Sequence, residues 1–283
     1  MEGYMESFDG LKIFYRHTKI EGRKPTLVFL HGLGANWTLW KDEMLLFERR
    51  GYSTLSYDMR GHGLSGIPDD PRDYFLPNFT KDLHTLLKHT KVRSFILIGH
   101  SMGGGIAIGY CGLFKKRLPK SMILFESAYR YPFSHGREFG VNPFVSSFLR
   151  FIAEHEPFRK KNYPHLKDMD LTCIKDRNKI SFFLEAIQIT PLKSIINTID
   201  EVQKYSFNHL QDTEELLSKL KLPVMIVAGS EDSVLPLHFS EELHWLIKNS
   251  KLKVMMGAYH RAPLEQPEEV CQEILSFIER KKR

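Results

Sequence analysis

Short apolar runs punctuate this chain, and segments with helical spacing separate most of them. Thr26 to Leu30 (TLVFL), Phe95 to Ile98 (FILI), Met122 to Phe125 (MILF) and Val224 to Ala228 (VMIVA) are continuously apolar and too short for helices. Runs of this kind suit strands covered on both faces. Ser53 to Tyr57 and Leu252 to Met256 add two further strands, and the opening predicts a hairpin with Asp9-Gly10 as its turn and Leu11 to His17 as its second strand. Helical patterns run from about Thr38 to Arg49, stopped by Gly51, from about Asn78 to His89, from the Gly103 region to about Phe114, and from about Glu268 to Glu279. Strands that alternate with helices in this way predict an α/β fold: a mostly parallel central sheet with helices on both faces.

The alternation breaks after Phe125. Between Ser127 and about Leu220 there is no clear buried strand, several stretches look helical, and phenylalanine is frequent (Phe133, Phe139, Phe144, Phe148, Phe151, Phe158, Phe182, Phe183). A structureless loop of that length is improbable inside a compact domain. The expectation is a core formed by residues 1–126 and 221–283 with a mostly helical cap inserted at 127–220.

At 283 residues the chain is long enough to bury most of its apolar surface without a metal or a disulfide framework. Its net charge of +6 is modest and its basic residues are interspersed with acidic ones, which argues against a nucleic-acid-binding face. The basic run Glu279-Arg280-Lys281-Lys282-Arg283 is short and reads as a solvated tail. Cys111, Cys173 and Cys271 are widely spaced and odd in number, which points to a reducing compartment. With no apolar stretch of membrane-spanning length and no signal-peptide pattern at Met1 to Gly10, the expectation is a cytoplasmic protein without stable membrane insertion. No Cys-x-x-Cys or His-x-x-x-His pair suggests a metal site.

Candidate chemistry concentrates where strands end. Gly99-His100-Ser101-Met102-Gly103 follows the FILI run and opens a helix, the setting of a nucleophile elbow that exposes a serine at a sharp strand-to-helix turn. A phosphate-binding turn is the competing reading, but neither Gly-x-Gly-x-x-Gly nor Gly-Lys-Ser/Thr is present there. A serine hydrolase also needs two backbone N–H donors for its oxyanion. Met102 would supply one and Leu33, in His31-Gly32-Leu33-Gly34 after the TLVFL run, the other; the His31 imidazole itself reads as structural. Of the 13 histidines, His260 lies in the loop between the last strand and the last helix, where sites gather in a parallel sheet. It is the candidate base, whereas His100, next to Ser101, is expected to point away from it. Asp232, in the turn after the VMIVA run, is the candidate acid that would orient His260. Glu231 and Glu126 are its rivals, Glu126 being read rather as a hinge or pocket residue.

Arg60-Gly61-His62-Gly63-Leu64-Ser65, the Gly-His-Ser-Met-Gly-Gly elbow, Asp232 and His260, in the order Ser, Asp, His, together resemble the α/β-hydrolase superfamily over nearly the whole chain. The chain departs from many relatives in carrying Ala258-Tyr259 rather than glycine before His260. The resemblance implies a cofactor-free esterase or lipase-like serine hydrolase with a cap that shapes the pocket. The Phe-rich interval, with Trp37 and Trp40 near the oxyanion loop, suggests a small-molecule ester with a lipophilic acyl or aryl group. A perhydrolase or haloperoxidase-like activity, or carbon–carbon bond hydrolysis, would use the same residues. A non-catalytic ligand receptor on the same fold would not need them.

Overall fold

The computed structural model of the chain describes residues 1–130, 170–173 and 189–279. The eight phenylalanines singled out above, with His135, His155, His165 and the basic run from Arg280, lie outside the described residues.

Eight strands form one sheet: β1 (Glu2–Glu6), β2 (Lys12–Thr18), β3 (Thr26–Leu30), β4 (Thr54–Tyr57), β5 (Phe95–His100), β6 (Met122–Phe125), β7 (Val224–Gly229) and β8 (Ser250–Met255). Their spatial order is β1-β2-β4-β3-β5-β6-β7-β8. The opening hairpin is antiparallel, β2 joins β4 antiparallel, and every later pairing is parallel. β6 pairs directly with β7, Met122 opposite Val224 and Phe125 opposite Val227, although residues 126–223 intervene in the chain.

Side chains along a strand point alternately to the two faces, and each apolar run is therefore divided between two cores. Val28, Leu30, Leu97, Leu124 and Ile226 join one core. Leu27, Phe29, Ile98, Phe125 and Val227 join the other. The first core is closed by α2 (Leu76–His89) and α3 (Met102–Leu113), through Phe79, Leu83, Leu86, Ile106 and Tyr110. The second is closed by α1 (Lys41–Arg49) and the C-terminal helix α8 (Pro267–Ile278), through Met44, Phe47, Val270 and Ile274. Burial on both faces is what made the strands read as unbroken apolar runs.

Within 127–220 the described residues include α4 (Leu192–Asn208) and α5 (Leu210–Lys219). α4 leans on the loop ahead of α2, where Tyr74 Oη and Ser194 Oγ lie 2.8 Å apart. α6 (Leu237–Leu246) follows β7, and the short α7 (Ala262–Glu265) precedes α8. Among the described residues, no helix is long and apolar enough to cross a membrane.

Two boundaries differ from expectation for clear reasons. α2 starts at Leu76 rather than near Asn78, because Pro77 sits in the first turn, where a missing N–H costs nothing. The first helical segment is split: Asn36 accepts from the Thr38 N–H at 3.0 Å and starts a 3₁₀ turn, Trp37–Trp40, before α1 begins.

Candidate active site

β5 delivers its last residue into a turn too tight for side chains. Ser101 has φ 52° and ψ −119°, a left-handed conformation that only a strongly constrained non-glycine residue holds. Glycines make the turn possible. A methyl group on Gly99 would lie 2.6 Å from the backbone of Gly103 and Gly104, and one on Gly103 would lie 2.5 Å from the Leu30 carbonyl oxygen. The strand end, the start of α3 and the end of β3 are thus in backbone contact. The Ser101 N–H is anchored to the Phe125 carbonyl at 2.9 Å.

Across from the elbow, His260 Nδ1 lies 2.8 Å from Asp232 Oδ2, and His260 Nε2 lies 3.2 Å from Ser101 Oγ. An ionised carboxylate only accepts, so the imidazole proton sits on Nδ1 and the Nε2 lone pair faces the serine. Asp232 is held in turn: its Oδ1 accepts the Val234 and Leu235 N–H groups at 2.8 and 2.9 Å. Ser101 is 9% exposed and Asp232 6%, which keeps water from screening the chain of contacts. The three side chains expected to meet do meet, drawn from the ends of β5, β7 and β8.

Of the two candidate oxyanion donors, Met102 directly follows the serine and Leu33 lies in the loop after β3. Met102 is the first residue of α3, and a methyl group on Gly32, next to Leu33, would come 3.1 Å from Ser101 Cβ. The loop carrying Leu33 is held from below by Asp58 and a pair of buried histidines. Asp58, at the end of β4, accepts the Trp37 N–H at 2.8 Å and the Leu64 N–H at 2.7 Å, tying the two loops together. Burial pushes its carboxyl up to about 7. Gly63 leaves room for that carboxylate, since a methyl there would sit 2.2 Å from Asp58 Oδ2. His31 is structural, as anticipated: Nδ1 donates to the Gly32 carbonyl at 2.7 Å and Nε2 accepts the Met59 N–H at 3.0 Å. Its ring lies 5.4 Å from that of His62. Burial lowers His31 well below the usual histidine range and takes His62 to about 4. The only sequence signal for Asp58 is its place, an acid directly after a strand.

The structure gives three residues near the site definite parts. His100 meets the loop of the base: its ring lies 5.1 Å from that of His260 and its Nε2 lies 2.6 Å from the His260 carbonyl oxygen. Glu126 is neither the acid beside His260 nor an open hinge or pocket residue. It is 1% exposed, its carboxylate accepts the Ala262 N–H at 3.2 Å, and burial, with Asp232 and Glu265 adding to it, raises its carboxyl well above the usual range. Trp40 is core, fully buried between Phe29 and Phe125 with its indole N–H on the Leu30 carbonyl at 3.1 Å. Trp37, by contrast, is half-buried, with the Arg16 guanidinium over its ring. The remaining rival, Glu231, is exposed and its Oε1 takes the Ser230 hydroxyl at 3.2 Å. Among the described residues no cluster of His, Cys, Asp and Glu is arranged to hold a metal ion.

A nucleophile elbow, a neighbouring histidine and an acid on successive strand ends define a class of α/β enzyme architecture. A family model for the alpha/beta hydrolase fold matches residues 25–267, and the chain belongs to that family. It is 27% identical to a non-heme chloroperoxidase from Kitasatospora aureofaciens, over 95% of this chain and 97% of that protein. It is 25% identical to a bifunctional esterase/perhydrolase from Acinetobacter calcoaceticus, over 98% of this chain and 99% of that protein. Among solved structures, an esterase from Exiguobacterium antarcticum superposes with a TM-score of 0.74 at 21% identity, covering 99% of this chain and 100% of its own.

Proposed function

We propose that this chain is a serine hydrolase that cleaves a carboxylic ester through an acyl-enzyme on Ser101. The observation that carries the reading is the unbroken run of contacts from Asp232 Oδ2 to His260 at 2.8 Å and from His260 to Ser101 Oγ at 3.2 Å. In this reading His260 takes the Ser101 proton as Oγ attacks the ester carbonyl. The Leu33 and Met102 N–H groups hold the oxyanion, and Asp232 stabilises the imidazolium. His260 then protonates the departing alcohol. Water, deprotonated by the same histidine, releases the acid and restores the serine. No step calls for a metal or an organic cofactor.

Residues 127–220 act as the cap over Ser101 and 1–126 with 221–283 as the hydrolase core. The phenylalanines of the cap favour a small-molecule ester with a lipophilic acyl or aryl group. The buried free thiols of Cys111 and Cys271 suit a reducing compartment, and the enzyme is assigned to the cytoplasm.

A second reading has specific support, because the similar proteins include a bifunctional esterase/perhydrolase and a non-heme chloroperoxidase. Hydrogen peroxide would replace water at the acyl-enzyme and release a peracid from the same serine. The deciding experiment treats the chain with a fluorophosphonate probe, then assays p-nitrophenyl esters of increasing acyl length with and without peroxide. Labelling lost in Ser101→Ala, together with ester turnover, supports the hydrolase; peracid in amounts matching acid release supports the second reading. A chain that takes no label and turns over no ester refutes both.

A further inference from the structure

We propose that His100 and Glu126 are positioning residues that clamp the main chain on both sides of Arg261 and thereby fix the loop that carries His260. The proposal rests on the reading of His260 as general base. His100 is the last residue of β5, and its Nε2 lies 2.6 Å from the His260 carbonyl oxygen. A carbonyl only accepts, so that nitrogen carries the ring proton and donates. Glu126 follows β6, and its two carboxylate oxygens lie 3.2 and 3.4 Å from the Ala262 N–H. The two side chains also face each other, with His100 Nε2 3.2 Å from Glu126 Oε2. Strands β5 and β6 thus reach one loop at its carbonyl before Arg261 and at its N–H after it.

The other edge of the His100 ring meets the opposite side of the site. Its Nδ1 is buried without a hydrogen-bond partner, and a methyl on Gly32 would lie 2.8 Å from it. One neutral ring is therefore packed between the loop carrying Leu33 and the loop carrying His260; burial lowers it to about 4.

The backbone of Glu126 gives an independent reason. Its φ is +45°, a region that glycine enters freely and other residues enter at a cost. The residue held there has a carboxylate long enough to reach Ala262, while its own N–H is fixed to the Val227 carbonyl at 2.8 Å. Side-chain reach explains a non-glycine residue at this angle, and helix capping alone would not bring in His100.

The test compares Glu126→Leu, Glu126→Gln and His100→Phe with the parent full-length chain, each matched for folded protein by circular dichroism. Four quantities are read: kcat and KM on p-nitrophenyl acetate, the rate of Ser101 labelling by a fluorophosphonate, and the low-field proton resonance of His260 Nδ1. A small displacement of a reacting group can cost about 100-fold, so Glu126→Leu and His100→Phe should lose about 10- to 100-fold in kcat and labelling rate, with KM within about twofold. Their Nδ1 resonance should shift or broaden. Glu126→Gln keeps an oxygen for the Ala262 N–H and should stay within about fivefold of the parent. Folded His100→Phe with parent kcat and parent resonance overturns the proposal, even if Glu126→Leu fails to fold. The resonance is read whether or not the ester is turned over. A parent without label or turnover therefore sinks the reading of Ser101, while an unmoved resonance in the variants sinks the clamp.

Discussion

The serine and the histidine of this site are built in opposite ways. Ser101 is held by main chain at close quarters: Gly99 packs against Gly103 and Gly104 within one turn, Gly103 packs against the Leu30 carbonyl, and the Ser101 N–H is bonded to the Phe125 carbonyl. His260 is held by residues from elsewhere, Asp232 after β7, His100 on β5 and Glu126 after β6. The elbow is a problem of covalent geometry and the base loop one of assembly across the sheet. Damage to the first should follow from added atoms, and damage to the second from lost partners.

The largest expected effect tests the chemistry at the elbow apart from its geometry. Ser101→Ala removes an oxygen without adding volume, so p-nitrophenyl ester turnover should fall to background while the melting temperature stays near the parent's. Retained turnover would move the nucleophile elsewhere. Next comes the base side, where the acid is a distant partner. Asp232→Asn should cost up to about 10⁴-fold in kcat by disturbing the His260 tautomer, far more than Glu126→Gln under the same assay. The reverse ranking would make Glu126 the orienting acid.

Two alanine substitutions sharpen the contrast in stability. Gly99→Ala drives a methyl to 2.6 Å from elbow backbone and should cost about 1–3 kcal/mol in urea unfolding. Gly257→Ala, in the base loop at φ +72°, meets open space apart from Gln266 Nε2 at 4.0 Å. It should cost only backbone strain, about 1–2 kcal/mol. Equal losses with the Gly99 variant still fully active would refute the idea that the elbow is the more crowded of the two.

A further difference concerns acid. The loops beneath the elbow lean on buried neutral histidines, and His62 has its folded value lowered by burial from 6.5 to about 4. A group of that kind gives its full stabilisation above 6.5 and loses it as pH falls towards 4, by at most about 3 kcal/mol. Asp58 acts in the opposite sense, raised by burial from 3.8 to about 7, so its contribution is full below 3.8 and fades as pH rises through 7. The measurement is therefore a difference: between pH 6.5 and 4 the stability of His62→Asn should fall less than the parent's. Parallel curves would mean that His62 does not titrate with unfolding.

The same contrast explains what the sequence reveals. The central strands β3, β5, β6 and β7 were legible because burial on both faces leaves a nearly unbroken apolar run, and the elbow because much of its constraint lies within a few consecutive residues. Asp232 and His260 were placed by the order of strands. The contact of His100 was not legible, because alternation along β5 says only that it faces away from its neighbour, not which loop returns to meet it. Glu126 and Asp58 each directly follow a strand, and nothing local tells a buried carboxylate that holds a distant N–H from one that faces solvent. Trp40 looked like a pocket residue by its nearness to the oxyanion loop, yet the 3₁₀ turn started by Asn36 rotates it into the core.

The direct pairing of β6 with β7 has a consequence for how such a protein diversifies. Because these strands pair in parallel and in register, Met122 opposite Val224, whatever lies between them leaves at the end of β6 and returns at the start of β7, two points that the sheet fixes. Loop closure across such a gap grows only slowly with the length of the loop. The intervening segment can therefore lengthen, shorten or drift over generations at little expense to the scaffold. Ser101, Asp232 and His260 all lie outside it. On the proposed reading of Ser101 and the cap, inheritance of the reaction and invention of new substrate preferences are carried by separate stretches of one gene.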